Sequence, residues 1–120
     1  MASDLSNPPK LSSFSAHVHI TVAPADVPAF LEALKPVYEA VIAEPENVFF
    51  QVYQHPQQPG AFRFVENWDM SVEDFIKIQI NKEYYKPYVA ITEPMWIKPR
   101  TIEIWERMPG NEWISIKPQV

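Results

Sequence analysis

A strict alternation of apolar and polar side chains marks the start of the folded chain. Apolar residues occupy every second position of the segment 14–22, and the polar positions between them include His17 and His19. A period of two places successive side chains on opposite faces of a β-strand. The segment therefore predicts a strand with one apolar face and one polar face, and both histidines lie on the polar face.

A period of three to four residues follows and predicts a helix. Pro24 and Asp26 open it, apolar residues then recur at i, i+3, i+4 and i+7 as far as Ile42, and Pro45 ends it. Pro36 falls inside this pattern, where it removes an amide donor and crowds the preceding turn. The sequence thus predicts one amphipathic helix with a bend near Pro36.

The rest of the chain is predicted as strands and a second helical region. The predicted strands are 47–54, 61–68, 100–107 and a short one at 113–117, and the predicted helical pieces are 71–80 and 83–92. The order β-α-β-β-α-β is typical of the ferredoxin-like α+β fold, in which helices cover one face of a four-stranded antiparallel sheet. We expect residues 1–12 to form a flexible N-terminal arm, residues 13–108 the domain, and residues 109–120 a C-terminal turn with an extra strand.

Helices cover only one face of such a sheet, and both faces of the predicted sheet hold large side chains. Phe62, Phe64 and Trp68 lie on one face of the third predicted strand, and Val65 lies on the other. Whichever face packs on the helices, the side chains of the opposite face need cover. An exposed apolar face of that size marks a partner site. A second copy of the sheet is the simplest cover, so we expect a homodimer.

Composition and charge remove several classes of function. The chain has 120 residues, a formal net charge of −5, no Cys and only two Gly. The acidic balance disfavours nucleic-acid binding, the lack of Cys excludes disulfides and thiolate metal sites, and two Gly cannot build a phosphate-binding loop. The N-terminus lacks the apolar run of a secretory signal, and no stretch approaches the roughly 18 apolar residues that span a membrane. We therefore expect a cytoplasmic protein that binds neither nucleic acid nor membrane.

Glu66 and Trp68 are candidates for chemistry because they share one face of the third predicted strand. Desolvation beside an aromatic wall raises the pKa of a carboxyl group, which could then act as acid or base near neutral pH. The alternative is a core tryptophan next to a glutamate that is held by an arginine or a backbone amide.

His17 and His19 point to the same side of the first predicted strand. Two imidazoles at this spacing can bind one zinc ion, but no third ligand is defined by the sequence, so no metal site is predicted. The functional role favoured over zinc binding is a hydrogen bond to a substrate phenol or carbonyl, or proton transfer. The bland interpretation, which outweighs both, is a pair of satisfied histidines at the dimer interface.

Four aromatic residues follow the second helical piece: Tyr84, Tyr85, Tyr88 and Trp96. They could cap a hydrophobic pocket and supply phenol donors. The alternative is that aromatic residues at helical spacing are ordinary core.

With these elements placed, several segments resemble the antibiotic biosynthesis monooxygenase family of dimeric α/β barrels. Residues 30–36 and 43–45 resemble the first helix of the family and its end, residues 66–68 resemble its Glu-x-Trp, and residues 84–94 resemble the stretch that closes its second helical region. The resemblance covers roughly residues 16–108 and implies a mostly apolar pocket between sheet and helices.

The resemblance implies a cofactor-independent monooxygenase, or a related cyclase or decarboxylase, for a small aromatic or polyketide-like molecule of secondary metabolism. A base, which would be His17, His19 or Glu66, removes a phenolic or enolic proton beside Trp68. No cofactor is expected, although haem handling is an alternative within the family. The residues expected to bind the substrate are Phe64, Gln79, Tyr84, Tyr85, Tyr88 and Trp96.

One position departs from the family pattern in a way that bears on catalysis. Gln79 stands where the family frequently has a histidine, and an amide does not titrate. The alternative function is therefore a non-catalytic dimer of the same fold that binds a ligand or serves in a stress response.

Overall fold

A computed structural model describes residues 7–118 as four strands and three helices. The strands form one antiparallel sheet in the order β2-β3-β1-β4, and the helices lie on one of its faces. This arrangement confirms the predicted ferredoxin-like α+β fold, and within one chain the sheet is open rather than a closed barrel. The elements are β1 Phe14–Thr21, α1 Val27–Ile42, β2 Asn47–Gln54, β3 Ala61–Trp68, α2 Val72–Lys77, α3 Tyr85–Thr92 and β4 Thr101–Glu106.

The second helical region is divided into α2, a short 3-10 turn at Gln79–Asn81 and α3. Ser71 caps α2, because its hydroxyl accepts a hydrogen bond from the backbone N–H of Asp74 at 3.0 Å. The amide of Asn81 donates to the carbonyl groups of Ile76 and Lys77 at 3.2 and 3.0 Å, which satisfies the end of α2. This break turns the chain so that α3 packs against α1.

The core lies between the sheet and the helices. Phe30 of α1 is at its centre, with its ring 4.9 Å from that of Phe62 on β3 and 6.4 Å from that of Tyr88 on α3. Pro36 lies within α1, which continues past it to Ile42. The strand residues that build the core are Phe14, Ala16, Val18, Ile20, Phe62, Phe64 and Trp68, and the α1 residues are Phe30, Leu34, Val37 and Val41.

The helix-free face of the sheet is mixed in character. Phe62, Phe64 and Trp68 pack towards the helices, so the apolar parity of β3 is already covered. The opposite face carries Val65 together with polar side chains, which makes it less apolar than the sequence interpretation assumed. Trp105 of β4 is 55% exposed there.

The extra C-terminal strand predicted at residues 113–117 does not form in this chain. After β4 the chain makes a turn that contains Gly110, whose φ of 71° favours glycine, and residues 113–117 then form no strand. The apolar residues that suggested a strand stay in solvent, with Trp113 70% exposed and Ile116 64% exposed. Alternation alone indicates an extended segment, whereas a strand also needs a partner.

Residues 1–6 of the predicted N-terminal arm lie outside the described residues. Leu11, near the end of that arm, packs against the core, and its carbonyl accepts a hydrogen bond from Val72 at 3.3 Å. Among residues 7–118, no helix is both long and apolar enough to cross a bilayer.

Gly60 allows a close contact between the loop before β3 and the end of β1. The N–H of Val22 donates to the carbonyl of Gly60 at 2.8 Å, and a Cβ on Gly60 would lie 1.9 Å from the carbonyl oxygen of Val22. We therefore expect Gly60→Ala to lower the free energy of unfolding by about 1–3 kcal/mol, as overpacked sites do. Urea denaturation would measure this loss.

The control for this prediction is Gln58→Ala, at an exposed position of the same loop. It should leave the denaturation midpoint unchanged. A Gly60→Ala variant as stable as the wild type would contradict the close contact.

Candidate active site

A cavity of about 180 Å³ lies between the helices and the sheet. Most of its lining is apolar, and four side chains that can exchange protons or donate hydrogen bonds face it: Glu66, Tyr85, Tyr88 and Arg100. An apolar cleft with a few convergent polar groups is the usual form of a small-molecule site. The apolar lining residues are Val18, Ile20, Val37, Val41, Phe50, Phe64, Phe75, Ile80, Val89 and Ile102.

Glu66 is placed in this cavity by the pleat of β3. Its neighbours two positions away, Phe64 and Trp68, are core residues, so the carboxyl group points to the same buried side. Burial raises the pKa of Glu66 to about 7, although the hydrogen bond from Trp68 and the charge of Arg100 favour the ionised form. A carboxyl group with this pKa can take or give a proton at physiological pH.

Trp68 supports Glu66 rather than lining the cavity. Its side chain is fully buried and packs against Phe75 with ring centroids 5.5 Å apart. The indole N–H donates to Oε1 of Glu66 at 3.1 Å. Trp68 therefore holds the carboxyl group in place, and a ligand in the cavity would meet Glu66 first.

Tyr85 and Tyr88 of α3 supply phenol groups to the cavity. Burial raises the pKa of both phenols above the ordinary value, and for Tyr85 the charge of Glu66 adds to this effect. Both groups are therefore protonated and can donate at neutral pH. The hydroxyl of Tyr88 is buried and has no hydrogen-bond partner among the described residues. A ligand oxygen that accepts a hydrogen bond from Tyr88 would remove the energetic cost of leaving this buried donor unsatisfied.

Gln79 and Tyr84, two of the residues expected to bind substrate, lie beside the cavity and not in its lining. Gln79 is 1% exposed, and its amide donates to the hydroxyl groups of Tyr84 and Tyr85 at 2.7 and 2.9 Å. Tyr84 in turn donates to Glu44 at 2.7 Å. Burial and the hydrogen bond to Glu44 raise the pKa of Tyr84 to about 12.

His17 and His19 do not join Glu66, and the prediction of a shared site is wrong. They lie on the helix-free face, where His17 pairs in register with Val65, while Glu66 pairs with Ala16. The ring of His17 is within hydrogen-bond distance of Ser15 Oγ at 3.0 Å and stacks on Trp105 at 5.8 Å. Burial, helped by the charge of Arg63, lowers the pKa of His17 against the opposing effect of Glu103.

His19 lines a separate groove of about 730 Å³ on the helix-free face. The cations Arg63 and Lys98 line the same groove, together with His55 and Tyr53. The sheet itself separates this groove from the cavity that contains Glu66. Which residues of different strands share a face of the sheet depends on the register between the strands. The spacing of residues within one strand does not determine that register.

Arg100 is the cavity residue that the sequence interpretation missed. Its guanidinium group lies 5.2 Å from the centre of the Trp96 ring, so Trp96 holds Arg100 by a cation–π contact and does not itself line the cavity. The indole N–H of Trp96 is buried and without a partner among the described residues. The available signal was the position of Arg100 directly before β4, at the same parity as Ile102 and Ile104, which pack against the core.

Metal and haem sites find little support in the side chains present. Among residues 7–118, no group of three or more His, Asp or Glu side chains is arranged to hold a metal ion. Among the described residues, those that line the cavity include no histidine, and the cavity volume of about 180 Å³ is below the usual range of sites for drug-sized molecules, which are smaller than haem. The site residues therefore do not fit haem.

The raised pKa of Glu66 makes stability depend on pH with a definite sign. The folded protein holds a proton on Glu66 that the unfolded chain loses near pH 4.5, so stability falls as pH rises from about 4.5 to about 7. Relative to Glu66→Gln, the wild type should lose stability on the order of 3 kcal/mol over this range. Denaturation of both proteins at a series of pH values would measure the difference. A constant difference across the range would contradict the burial of this carboxyl group.

Comparisons with known proteins identify the family of this chain. The sequence model of the family described as "Antibiotic biosynthesis monooxygenase" matches residues 13–75. A protein of Pestalotiopsis microspora named "Putative monooxygenase GME11364" is 42% identical over 104 residues, which are 87% of this chain and 87% of that protein.

Two solved structures show the same fold at lower identity. One is a "Putative antibiotic biosynthesis monooxygenase from Nitrosomonas europaea", with a TM-score of 0.74 and 21% identity, over 82% of this chain and 92% of that one. The other is a "conserved protein from Methanosarcina mazei Go1", with a TM-score of 0.72 and 19% identity, over 82% of this chain and 95% of that one. The family match and the 42% identical relative together show that this chain belongs to the antibiotic biosynthesis monooxygenase family.

Proposed function

We propose that this protein is a cofactor-independent monooxygenase that oxidises a small aromatic or polyketide-like molecule in the cavity beside Glu66. The reaction converts an activated CH₂ group into a carbonyl. One atom of O₂ enters the product, and the other leaves as water with the two hydrogens of the CH₂ group. The four electrons come from the substrate, so no external reductant is needed.

The roles follow from the groups that face the cavity. Glu66 removes the first proton from the CH₂ group or from its enol form. Tyr85, Tyr88 and Arg100 stabilise the negative charge that develops on the neighbouring oxygen, because buried donors act strongly where water is excluded. The carbanion or enolate then reacts with oxygen.

The observation that carries this proposal is the buried carboxyl group of Glu66. A structural glutamate in an apolar core would be expected to pair with a cation or with several donors. Here Trp68 donates one hydrogen bond, and the raised pKa places the group near its titration midpoint at neutral pH. Ionisable groups with strongly shifted pKa values are typical of active sites.

The cavity volume limits the size of the substrate. A cavity of about 150 Å³ lined by apolar side chains can hold a benzene molecule. The present cavity of about 180 Å³ therefore suits one ring with substituents or a compact two-ring system. Larger polycyclic substrates would require the helices to move.

Glu66→Gln tests the role of the base with 1,3-indandione, a two-ring compound whose CH₂ group lies between two carbonyls. We expect the wild type to consume oxygen and to form the tricarbonyl product. The variant should turn over about 10²- to 10⁴-fold more slowly, as expected for loss of a general base, while its affinity changes little. An oxygen electrode and mass spectrometry of the product measure these results.

Glu103→Gln is a matched control. Glu103 accepts a hydrogen bond from the indole of Trp105 at 3.0 Å, as Glu66 does from Trp68 at 3.1 Å, but it lies on the exposed face. Its turnover should equal that of the wild type. If the wild type binds the compound without consuming oxygen, the result would instead support a non-catalytic ligand-binding protein. The three-ring compound anthrone provides the comparison for substrate size.

We also propose that the protein is a homodimer whose helix-free faces pack together. The support is the apolar surface that this side leaves exposed in a single chain. Trp105 lies on that face, and Ile114 and Ile116 of the C-terminal segment line a groove beside Val48 and Phe49 of β2. Removing such apolar side chains from water is the main favourable contribution to most protein–protein association.

Light scattering should give twice 13.9 kDa for the full chain. A variant that ends at Met108 removes the exposed apolar side chains of the C-terminal segment, so it should dimerise more weakly. Sedimentation at several concentrations would measure both dissociation constants. A monomeric wild type would contradict the dimer, and an unchanged dissociation constant would exclude a role for the segment.

A further inference from the structure

We propose that Glu44, at the end of α1, sets Tyr85 as a hydrogen-bond donor towards the cavity through Tyr84 and Gln79. This inference rests on the proposed function, because it concerns the ligand that occupies the cavity. It assigns positioning roles to three residues, Glu44, Tyr84 and Gln79, that lie outside the cavity lining. It also defines which ligand oxygen the site prefers.

The first step is the charge state of Glu44. Lys82 Nζ and the hydroxyl of Tyr84 both donate to Oε2 of Glu44 at 2.7 Å. These two hydrogen bonds, that of Lys82 first, hold the pKa of Glu44 below its usual value. The group is therefore ionised at neutral pH and has no proton to give. Tyr84 must donate in this contact.

The second step is the orientation of the Gln79 amide. Because the proton of Tyr84 is committed to Glu44, the oxygen of Tyr84 can only accept from Gln79, at 2.7 Å. The NH₂ end of the amide must then face the two phenols. Gln79 is buried, so bulk water does not compensate for the opposite orientation.

The third step is the proton of Tyr85. The second N–H of Gln79 donates to the oxygen of Tyr85 at 2.9 Å, which makes Tyr85 the acceptor of that contact. The hydroxyl of Tyr85 keeps its own proton, which can go to the oxygen of Tyr84 or to a ligand in the cavity that Tyr85 lines. A ligand oxygen that carries negative charge is the stronger acceptor of the two. The site therefore favours a ligand that places a carbonyl or enolate oxygen beside Tyr85 over one that places a hydroxyl donor there.

The opposite polarity becomes available when Glu44 loses its charge. A neutral amide at position 44 can donate to Tyr84, which then donates to the oxygen of Gln79 in the flipped orientation. Tyr85 would then also donate to the oxygen of Gln79, so its proton would no longer be available for a hydrogen bond to the ligand. The chain of hydrogen bonds thus has two discrete arrangements, and the carboxylate selects one of them.

The test uses the enolate of 1,3-indandione as the probe, because its absorbance reports the bound form. Glu44→Gln and Tyr84→Phe should each weaken enolate binding about threefold to tenfold, the worth of one hydrogen bond. Glu83→Gln is the matched control, since Glu83 accepts from Lys86 at the same 2.7 Å on the exposed surface. It should bind the enolate as the wild type does.

A double-mutant cycle separates positioning from general damage to the structure. Tyr85→Phe should cause a similar loss, and adding Glu44→Gln to Tyr85→Phe should cause no further loss, because the carboxylate acts through Tyr85. Independent, additive losses would overturn the proposal. Unchanged binding in Glu44→Gln and Tyr84→Phe would overturn it as well.

Failure of the proposed function remains distinguishable from failure of this inference. If the wild type does not bind the enolate, the proposed ligand cavity is wrong, and the hydrogen-bond chain is judged by NMR of the Gln79 side-chain amide. Slow exchange of both amide protons in the wild type, lost in Tyr84→Phe, would support the chain. Fast exchange in the wild type would overturn it.

Discussion

The burial of one carboxyl group is the constraint on which the functional interpretation depends. Glu66 sits among core residues of β3, and its stabilising contacts are one indole hydrogen bond and the more distant charge of Arg100. An ionised carboxylate is poorly stabilised in such surroundings, so its pKa rises to about 7. The same surroundings form the apolar cavity. The energetic cost of placing Glu66 there and its capacity to exchange protons therefore have one physical cause.

A comparison within the chain shows that position, and not the local motif, creates this property. Glu66 with Trp68 on β3 and Glu103 with Trp105 on β4 have the same Glu-x-Trp spacing and nearly the same N–H to oxygen distance. The first pair faces the helices and is buried, whereas the second faces away from them and is exposed. Glu66 of the buried pair borders a cavity that a small molecule could occupy. Both copies of the Glu-x-Trp motif supply the same chemical groups. Their positions in the sheet determine which copy is buried.

The polar groups around the cavity are ordered from outside it. Glu44 and Lys82 lie near the surface, yet their contact is connected through Tyr84 and Gln79 to Tyr85 in the lining. The side chain of Gln79 does not titrate. Its amide group instead carries two N–H donors, and both point towards the phenol oxygens. We therefore assign Gln79, which departs from the family pattern, a positioning role in place of proton transfer. In the proposed mechanism, Glu66 transfers the proton and Gln79 orients a hydrogen-bond donor.

Local periodicity by itself determined the strands β2 and β3 to the residue, the helix α1, the fold class and the pairing of Glu66 with Trp68 on one face. These features depend on side-chain spacing within a single segment, and that spacing is present in the sequence. The tertiary structure decided that His17 and His19 lie across the sheet from Glu66, that Arg100 borders the cavity, and that residues 113–117 form no strand. Each of these depends on register or contact between segments far apart in the chain, and no pattern within one segment records which face of a distant strand it will meet.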